Sequence, residues 1–326
     1  MFTSKDIRCF VMTRNRPELL KQTLKTVLWQ EGGPWDIWVV DNSPNTDTEK
    51  LIKTQYPQIH YEHTIYSNNI KRVQELMDTS YTFLMHDDDL IAPNYLQTAL
   101  KALNSYPNLA GVFSKYKIMP SLNFPSDLEK QKLSTKHWLI ENQADFTLSF
   151  WDRPSCCWTG SIIKSDSYKV LDIGRYLNTF GKIFDWPLLI ETVGNNKTII
   201  FKDNYIFYRA HKGQDTFDEN TAITSRQFLN WLKFFKEFAE TNKELEKIYI
   251  MRAYDNAMSN YQKFLSKKEQ KNCPNLSALL EKEGLNIFPM NIYNKTLEHK
   301  LLSPLKHIFR RFLKNNYFEQ FITDFK

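Results

Sequence analysis

The sequence predicts an α/β fold in which a mostly parallel, Rossmann-like sheet is flanked by helices and followed by a helical C-terminal part. Short apolar runs alternate with amphipathic helical segments through the first third of the 326 residues, an order typical of parallel strands joined by crossover helices. The composition agrees, since 42% hydrophobic and 25% charged residues are close to the globular average. We expect one α/β domain over residues 1–220 and a helical region over residues 221–326.

Strands are predicted where apolar runs end in polar or turn-forming residues. They cover residues 7–12, 36–40, 59–63, 81–85, 110–113, 157–163, 198–201 and 205–208. Helices are predicted where apolar side chains recur every three or four residues, at 17–31, 47–55, 73–77 and 93–103. Residues 114–150 lose both patterns and carry Pro120 and Pro125, so we expect an irregular excursion over one face of the sheet.

Charge, cysteines and hydropathy exclude several classes of protein. No apolar run reaches the ~18 residues that cross a bilayer, and the N-terminal segment does not resemble a secretory signal, so we expect a cytoplasmic protein. None of the four cysteines forms a Cys-x-x-Cys pair, which favours reduced thiols over a zinc site or a disulfide. The net charge, 43 − 37 = +6, is a mild excess, and we expect no nucleic-acid partner.

Three polar clusters stand where three predicted strands end: TRNRP at 13–17, DNS at 41–43 and HDDD at 86–89. In an open parallel sheet, ligands bind at the carboxyl ends of the strands. Consecutive carboxylates repel one another, and a Mg²⁺ or Mn²⁺ ion that bridges to phosphates relieves the repulsion. The alternatives are a solvated acidic turn or an Asp89 that caps the next helix. We expect Asp88 to point away from Asp87 and Asp89, because side chains alternate along an extended segment.

These clusters and three later segments resemble the family 2 glycosyltransferases of GT-A fold. The matching motifs are TRNRP at 13–17, VVDNS at 39–43, FLMHDDDLIAP at 83–93, WTG at 158–160, FDW at 184–186 and YRAHKGQD at 208–215. Their common order over about residues 7–217 is more specific than any single motif. The resemblance is to bacterial enzymes of surface-polysaccharide synthesis, such as capsule or lipopolysaccharide. It implies inverting transfer from a nucleotide-sugar, expected to be a UDP-sugar, to a hydroxyl of a growing glycan, with Mn²⁺ or Mg²⁺.

Carried over position by position, the resemblance implies that Asp41 recognises the base, Asp87 lies near the ribose and Asp89 binds the metal. In the same way Asp185 is the catalytic base, and His211 lies near the metal and the diphosphate. The donor side is assigned to Thr13, Arg14, Asn15, Arg16, Asp41, Asp87, Asp88 and Arg209, the metal to Asp87, Asp89 and His211, and the acceptor side to Trp158, Gly160 and Trp186. Residues 67–72 lack the glycine that many members carry before the aspartate strand, which leaves the donor sugar open.

The chemistry of inverting transfer agrees with a base at Asp185. The reaction needs one base for the acceptor proton and a cation for the leaving nucleoside diphosphate, but no carboxylate nucleophile. Phe184 and Trp186 flank Asp185, an apolar setting that raises the pKa of a carboxylate and makes it a stronger base. The alternative role is a helix N-cap, since Pro187 follows at a helix start, and the two roles are compatible. Glu191 is the second candidate, on position only.

The remaining assignments each have a structural alternative. Trp158 and Trp186 either stack on sugar faces or pack in the core. His211 either lies near the metal or is a histidine tied to backbone, and Arg209 either meets the diphosphate or is solvated surface charge. Gly160 allows the backbone to approach the acceptor or a strand closely.

The C-terminal region ends in a basic amphipathic segment. Its apolar residues fall on one helical face, and they are Leu301, Leu305, Ile308, Phe309 and Phe312. With Lys and Arg around the remainder, this pattern suits an anionic membrane surface at the inner face of the plasma membrane, beside a lipid-linked glycan acceptor. The alternative is a helix packed on the domain or on another subunit.

Two other function classes fit part of the pattern. A sugar nucleotidyltransferase shares the sheet and the metal but needs a glycine-rich basic loop after the first strand, and residues 13–17 contain no glycine. A non-catalytic glycan-binding module would hold structural Ca²⁺ with the same aspartates. Hydrolysis or transfer from nucleotide-sugars in Mn²⁺ separates the three readings.

Overall fold

A computed structural model of the chain describes residues 1–151 and 156–211, eight helical residues between 227 and 241, and residues 322–323. Strands β1 to β10 are Ile7–Thr13, Asp36–Asp41, His60–His63, Tyr81–His86, Leu90–Ile91, Gly111–Met119, His137–Ile140, Ser161–Lys164, Thr198–Arg209 and Ile322–Thr323. Helices α1 to α8 are Pro17–Leu28, Asp47–Gln55, Asn69–Leu76, Tyr95–Ser105, Gln143–Trp151, Ser165–Lys169, Ile173–Phe180 and Asp185–Val193. The amphipathic segment near residue 301 lies outside the described residues.

The strands form one mixed sheet in the order β10-β7-β9-β6-β8-β4-β1-β2-β3, with β5 paired to β9. Strands β4, β1, β2 and β3 run parallel to one another, and β6 and β9 form a second parallel pair. Strands β7 and β8 run antiparallel to the strands beside them. The predicted class, a mostly parallel sheet flanked by helices, is confirmed.

Both faces of the sheet are covered, because the central strands are apolar on both sides. In β1, Cys9 and Val11 face the layer that contains α1, α2 and α4, whereas Phe10 and Met12 face the layer that contains α3, α7 and α8. Strand β4 alternates in the same way. Strands buried on both faces have continuous apolar runs, which explains why their positions could be predicted from the sequence.

Four expectations about the elements are wrong. The irregular excursion at 114–150 instead contains the rest of β6, strand β7 and helix α5. The predicted strands at 198–201 and 205–208 are one strand, β9, whose pairing with β6 shifts register opposite residues 114–116. The predicted strand at 157–163 is shorter, since β8 begins at Ser161, and β5 was not expected. The missed strands have two or four residues, too few to show a period.

Among the described residues, none of the helices is long and apolar enough to cross a bilayer. The four cysteines of the chain include Cys9, Cys156 and Cys157, which are free thiols, and Cys273, which lies outside the described residues.

Gly160 brings the turn before β8 against the sheet. Its φ is 80°, a conformation that favours glycine, and its N–H donates to the Leu84 carbonyl at 2.6 Å. Its own carbonyl accepts from the Tyr95 hydroxyl at 2.5 Å, and a Cβ at this position would overlap Ile206 of β9. The close approach expected at Gly160 is therefore to a strand.

We predict that Gly160→Ala lowers the free energy of unfolding by about 1–3 kcal/mol, because the variant adds both backbone strain and an overlap. The measurement is urea denaturation. Ile206→Ala makes room for the added methyl group, so the double variant is expected to lose less stability than the sum of the two single variants. Additive losses would contradict the contact.

Candidate active site

The three polar clusters lie together at one edge of the sheet. Thr13 at the end of β1 is in register with Asp41 at the end of β2, and Met12 is in register with His86 at the end of β4. The Asp87 N–H donates to the Met12 carbonyl at 3.1 Å, which continues the pairing one residue beyond β4. The parallel order of β4, β1 and β2 therefore brings the clusters to a common site.

Among the three aspartates, Asp87 has the most hydrogen-bond and ion-pair partners within the described residues. It is buried, and its Oδ2 accepts from the Thr13 hydroxyl at 2.6 Å and from the Arg14 N–H at 3.4 Å. Its Oδ1 lies 2.7 Å from a guanidinium nitrogen of Arg16. Burial raises the pKa of Asp87 to about 7, although the positive charge of Arg16 acts in the opposite direction.

A side chain of helix α1 hydrogen-bonds to the backbone of the aspartate segment. The buried Thr23 hydroxyl lies 2.7 Å from the Asp87 carbonyl oxygen and 2.8 Å from the Asp89 carbonyl oxygen. Strand β5 follows directly and pairs with the end of β9, with Leu90 opposite Phe207. The turn between β4 and β5 is thus fixed by a helix and by a second part of the sheet.

Arg209, the last residue of β9, lies behind the same turn. Its guanidinium donates to the Asp88 carbonyl and to the Gln22 side chain of α1, and its backbone N–H donates to Asp89 Oδ1 at 3.0 Å. The side chain is fully buried, which lowers its pKa, while the nearby aspartates raise it. Burial contradicts the alternative of a solvated surface charge for Arg209, and its contact with a diphosphate stays a prediction.

His86, Asp88 and Asp89 form a group that fits a metal ion. One potential ligand atom from each side chain lies within 4.8 Å of the others. Asp89 Oδ2 is buried and accepts no hydrogen bond from the described residues, and it lies 4.0 Å from His86 Nδ1. Burial and, after it, the charge of Asp88 raise the pKa of Asp89 well above its ordinary value. A buried carboxylate oxygen without a partner, beside a second carboxylate and an imidazole, suits a divalent cation.

The arrangement of the aspartates differs from the expected one. Asp88 does not point away from its neighbour, since Arg16 lies 2.7 Å from Asp88 Oδ2 as well as from Asp87. Side-chain alternation fails here because β4 ends at His86 and the next two residues form a turn. His211 joins the same carboxylate, with its Nε2 3.2 Å from Asp88 Oδ2. The grouped acids are therefore Asp88 and Asp89, and Asp87 contacts Arg16 and Thr13 instead.

His86 is the residue that sequence reasoning missed. Its side chain is 45% exposed, and its ring stacks on Trp158 with 5.0 Å between the centroids. Its place directly before the three aspartates was the available signal, since imidazole is a common metal ligand in proteins. Trp158 itself is buried, so it supports the His86 ring and offers no open face to a sugar.

Asp185 is the first residue of α8 and is partly exposed. Burial raises its pKa to about 7, against the favourable effect of the Trp186 N–H at the helix start. Burial and, after it, the charges of Asp89, Cys156 and Asp185 raise the pKa of the Cys157 thiol, so Asp89 and Asp185 both lie near this thiol. Two carboxylates from different elements therefore face one region of the protein.

Glu191 and Trp186, on the same helix as Asp185, contact other parts of the protein. Glu191 raises the pKa of Tyr176 in α7 after the effect of burial, so it lies toward α7, six residues along the helix from Asp185. Trp186 is partly buried and packs against Trp231, with 5.5 Å between the rings. Glu191 therefore lies near Tyr176, whereas Asp185 lies near Cys157.

Asp41, the residue assigned to the base, has both carboxylate oxygens hydrogen-bonded within the protein. It is fully buried, with Oδ1 accepting from the Ser43 N–H at 2.8 Å and from the Ser43 hydroxyl at 2.5 Å. Its Oδ2 accepts from the Tyr61 hydroxyl at 2.9 Å. Asp41 therefore shapes the loop after β2, and this loop in turn binds the Asn15 N–H through the Ser43 hydroxyl at 2.7 Å.

Comparisons with known proteins give a family and a fold. A family model described as glycosyl transferase family 2 matches residues 9–171, half of the chain. The crystal structure of S. aureus TarS 1-349 in complex with UDP-GlcNAc is similar at a TM-score of 0.54 and 11% identity, over 86% of this chain and 78% of that one. The structure of S. aureus TarS 1-349 alone gives 0.52 and 13%, over 86% and 77%. At these identities the likeness concerns the fold, which is GT-A. No curated protein matches in sequence.

We predict that Arg209→Met lowers the free energy of unfolding by about 3–5 kcal/mol, because it removes a buried cation from beside buried carboxylates. The loss is expected to be larger at pH 8 than at pH 5, since Asp87, whose pKa is raised to about 7, is ionised at pH 8 and mostly protonated at pH 5, and its charge interacts with Arg209. Urea denaturation at both pH values is the measurement. Gln22→Leu is the matched control, with a loss of about 1 kcal/mol; an equal loss for Arg209→Met at both pH values would contradict the electrostatic role.

Proposed function

The chain belongs to glycosyl transferase family 2, and from this premise we propose that it transfers a sugar from a nucleotide-sugar to a glycan hydroxyl, with inversion at the anomeric carbon. The observation that carries the proposal is the group formed by Asp88, Asp89 and His86 at the carboxyl edge of the sheet, with the unpartnered Asp89 oxygen in it. Membership of the family makes the chain a glycosyltransferase. The reaction stereochemistry, the metal and the substrates are our proposal.

Asp88, Asp89 and His86 are the residues that would hold Mn²⁺ or Mg²⁺. A bound divalent ion supplies Lewis-acid stabilisation of the leaving nucleoside diphosphate. The contribution of the chain is to fix the ligands before the donor arrives: Thr23 and Arg209 hold the backbone of the aspartates, and Trp158 holds the His86 ring. Preorganised ligands of this kind do not need to be reoriented during the reaction.

Asp185 is proposed as the general base that accepts the proton of the acceptor hydroxyl. A pKa of about 7 is suited to this role, because the carboxylate is ionised in a useful fraction at neutral pH and still binds a proton well. No second carboxylate is required as a nucleophile when the configuration inverts.

The substrates are proposed at the level of chemical class. The similar S. aureus TarS structure holds UDP-GlcNAc, which supports a UDP-sugar donor for this chain. We propose that residues 13–16 and 41–43 surround the nucleoside diphosphate, since both loops lie at the edge beside Asp87. The acceptor is proposed to be a growing surface glycan, lipid-linked and reached from the cytoplasmic face of the membrane, with the C-terminal basic segment at the lipid surface.

We predict that Asp185→Asn lowers kcat by about 10²–10⁴-fold, the usual contribution of a general base, and changes donor affinity little. In the wild type, kcat/KM is expected to rise with pH up to about 7 and then level off, because only the ionised carboxylate accepts a proton. Glu191→Gln is the control on the same helix and is expected to retain turnover. A pH profile that is the same in the wild type and in Asp185→Asn would show that another group is the base.

The direct test of the proposed function is a panel of nucleotide-sugars, assayed for hydrolysis and transfer in Mn²⁺, in Mg²⁺ and in EDTA. We expect turnover of one donor, its loss in EDTA and its recovery on adding metal. Asp89→Asn is expected to lose turnover and Mn²⁺ binding together, since it removes the charge of a ligand without changing its shape. Full activity in EDTA would exclude the metal, and formation of a nucleotide-sugar from a sugar phosphate would indicate a nucleotidyltransferase.

A further inference from the structure

Arg16 occupies the front of the aspartate cluster, on the side open to solvent. One of its guanidinium nitrogens lies 2.7 Å from Asp87 Oδ1 and another 2.7 Å from Asp88 Oδ2. Its side chain is 25% exposed, whereas Arg209, on the other side of the same turn, is fully buried. The cluster therefore has one fixed cation behind it and one accessible cation in front of it.

Arg16 contacts Asp88, a carboxylate that also belongs to the proposed metal site. Asp88 belongs to the group that fits a metal ion, and its Oδ2 is contacted by Arg16 and by His211, at 3.2 Å. A guanidinium and a divalent cation at one carboxylate repel each other, so each weakens the binding of the other. Arg16 thus places positive charge at the carboxylate where a metal ion would place it.

The backbone before Arg16 is fixed by a hydrogen bond to a neighbouring loop. Asn15 has a φ of 56°, and its N–H donates to the Ser43 hydroxyl at 2.7 Å, which ties this loop to the one after β2. The long Arg16 side chain can therefore change partner while its backbone stays in place. A diphosphate offers the planar guanidinium a bidentate anionic partner equivalent to the two carboxylates.

We propose that Arg16 is an exchange residue: it neutralises Asp87 and Asp88 in the empty enzyme and transfers to the diphosphate when nucleotide and metal ion enter. This inference rests on the proposed function of the site. Its consequence is that the nucleotide makes Asp88 available to the cation, so that nucleotide and cation bind cooperatively. The same contact protects the aspartates from a metal ion in the absence of donor.

The test is Mn²⁺ binding, measured by electron paramagnetic resonance of free Mn²⁺, with and without UDP. Arg16→Gln is expected to bind Mn²⁺ alone roughly fivefold or more tightly than the wild type, and to bind UDP in saturating Mn²⁺ roughly tenfold more weakly. The factor by which UDP strengthens Mn²⁺ binding is then smaller in the variant. A residue that only stabilises the loop would weaken both affinities.

Two further variants control for charge and folding. Lys53→Gln removes the same charge from an exposed pair with Glu49 on α2, and it is expected to bind Mn²⁺ as the wild type does. Arg16→Lys keeps the charge but loses the two-pronged contact, so it is expected to change both affinities in the same directions as Arg16→Gln but by less.

The outcomes separate this inference from the function on which it rests. Arg16→Gln that is folded by circular dichroism but binds Mn²⁺ alone no more tightly than the wild type overturns the exchange, even if the wild type is an active transferase. A wild type that binds no Mn²⁺ even with UDP overturns the proposed metal site and the exchange together. Opposite changes in the two affinities support the exchange.

Discussion

Three adjacent carboxylates in a buried turn are the constraint on which the rest of the site depends. Ionised aspartates are stable without water only when positive charges or hydrogen-bond donors compensate them. The protein supplies these from two directions, with Arg209 and Thr23 behind the turn and Arg16 in front of it. The sheet brings Arg209 to the turn, because β5, directly after the aspartates, pairs with β9, the strand that ends in Arg209. The compensation remains incomplete at Asp89 Oδ2, and this is the position that fits a cation.

The same constraint distinguishes the residues that position the site from the candidate functional residues. Arg209 and Trp158 are buried and set the geometry of other groups, whereas Arg16, His86 and Asp185 retain exposed surface at the edge. Asp185 comes from a different element, the start of α8, and its charge, like that of Asp89, acts on the buried Cys157 thiol. The proposed inverting transfer requires a metal site and a base, and these two groups are the candidates for them.

The central strands and the edge where the clusters meet could be predicted from the sequence, because β1 and β4 are apolar on both faces and each ends in polar residues. The family and the fold followed from the motifs in their order. The short strands β5 and β7 could not be predicted, since two or four residues show no period and their pairing depends on distant parts of the chain. The sequence also could not predict that Asp88, and not Asp87, is grouped with Asp89 and His86. It follows from a turn after His86 and from Arg16, whose side chain reaches both carboxylates.

The most direct measurement of the central claim is a crystal structure with Mn²⁺ and UDP, in which the anomalous signal of manganese locates the ion. The account predicts one strong peak about 2.0–2.6 Å from an oxygen of Asp89 and from Asp88 or His86, the range for hard cations in proteins, with the diphosphate on its open side. A peak on Asp87 with Asp88 still bound to Arg16, or bound UDP without any peak at this edge, would contradict the account.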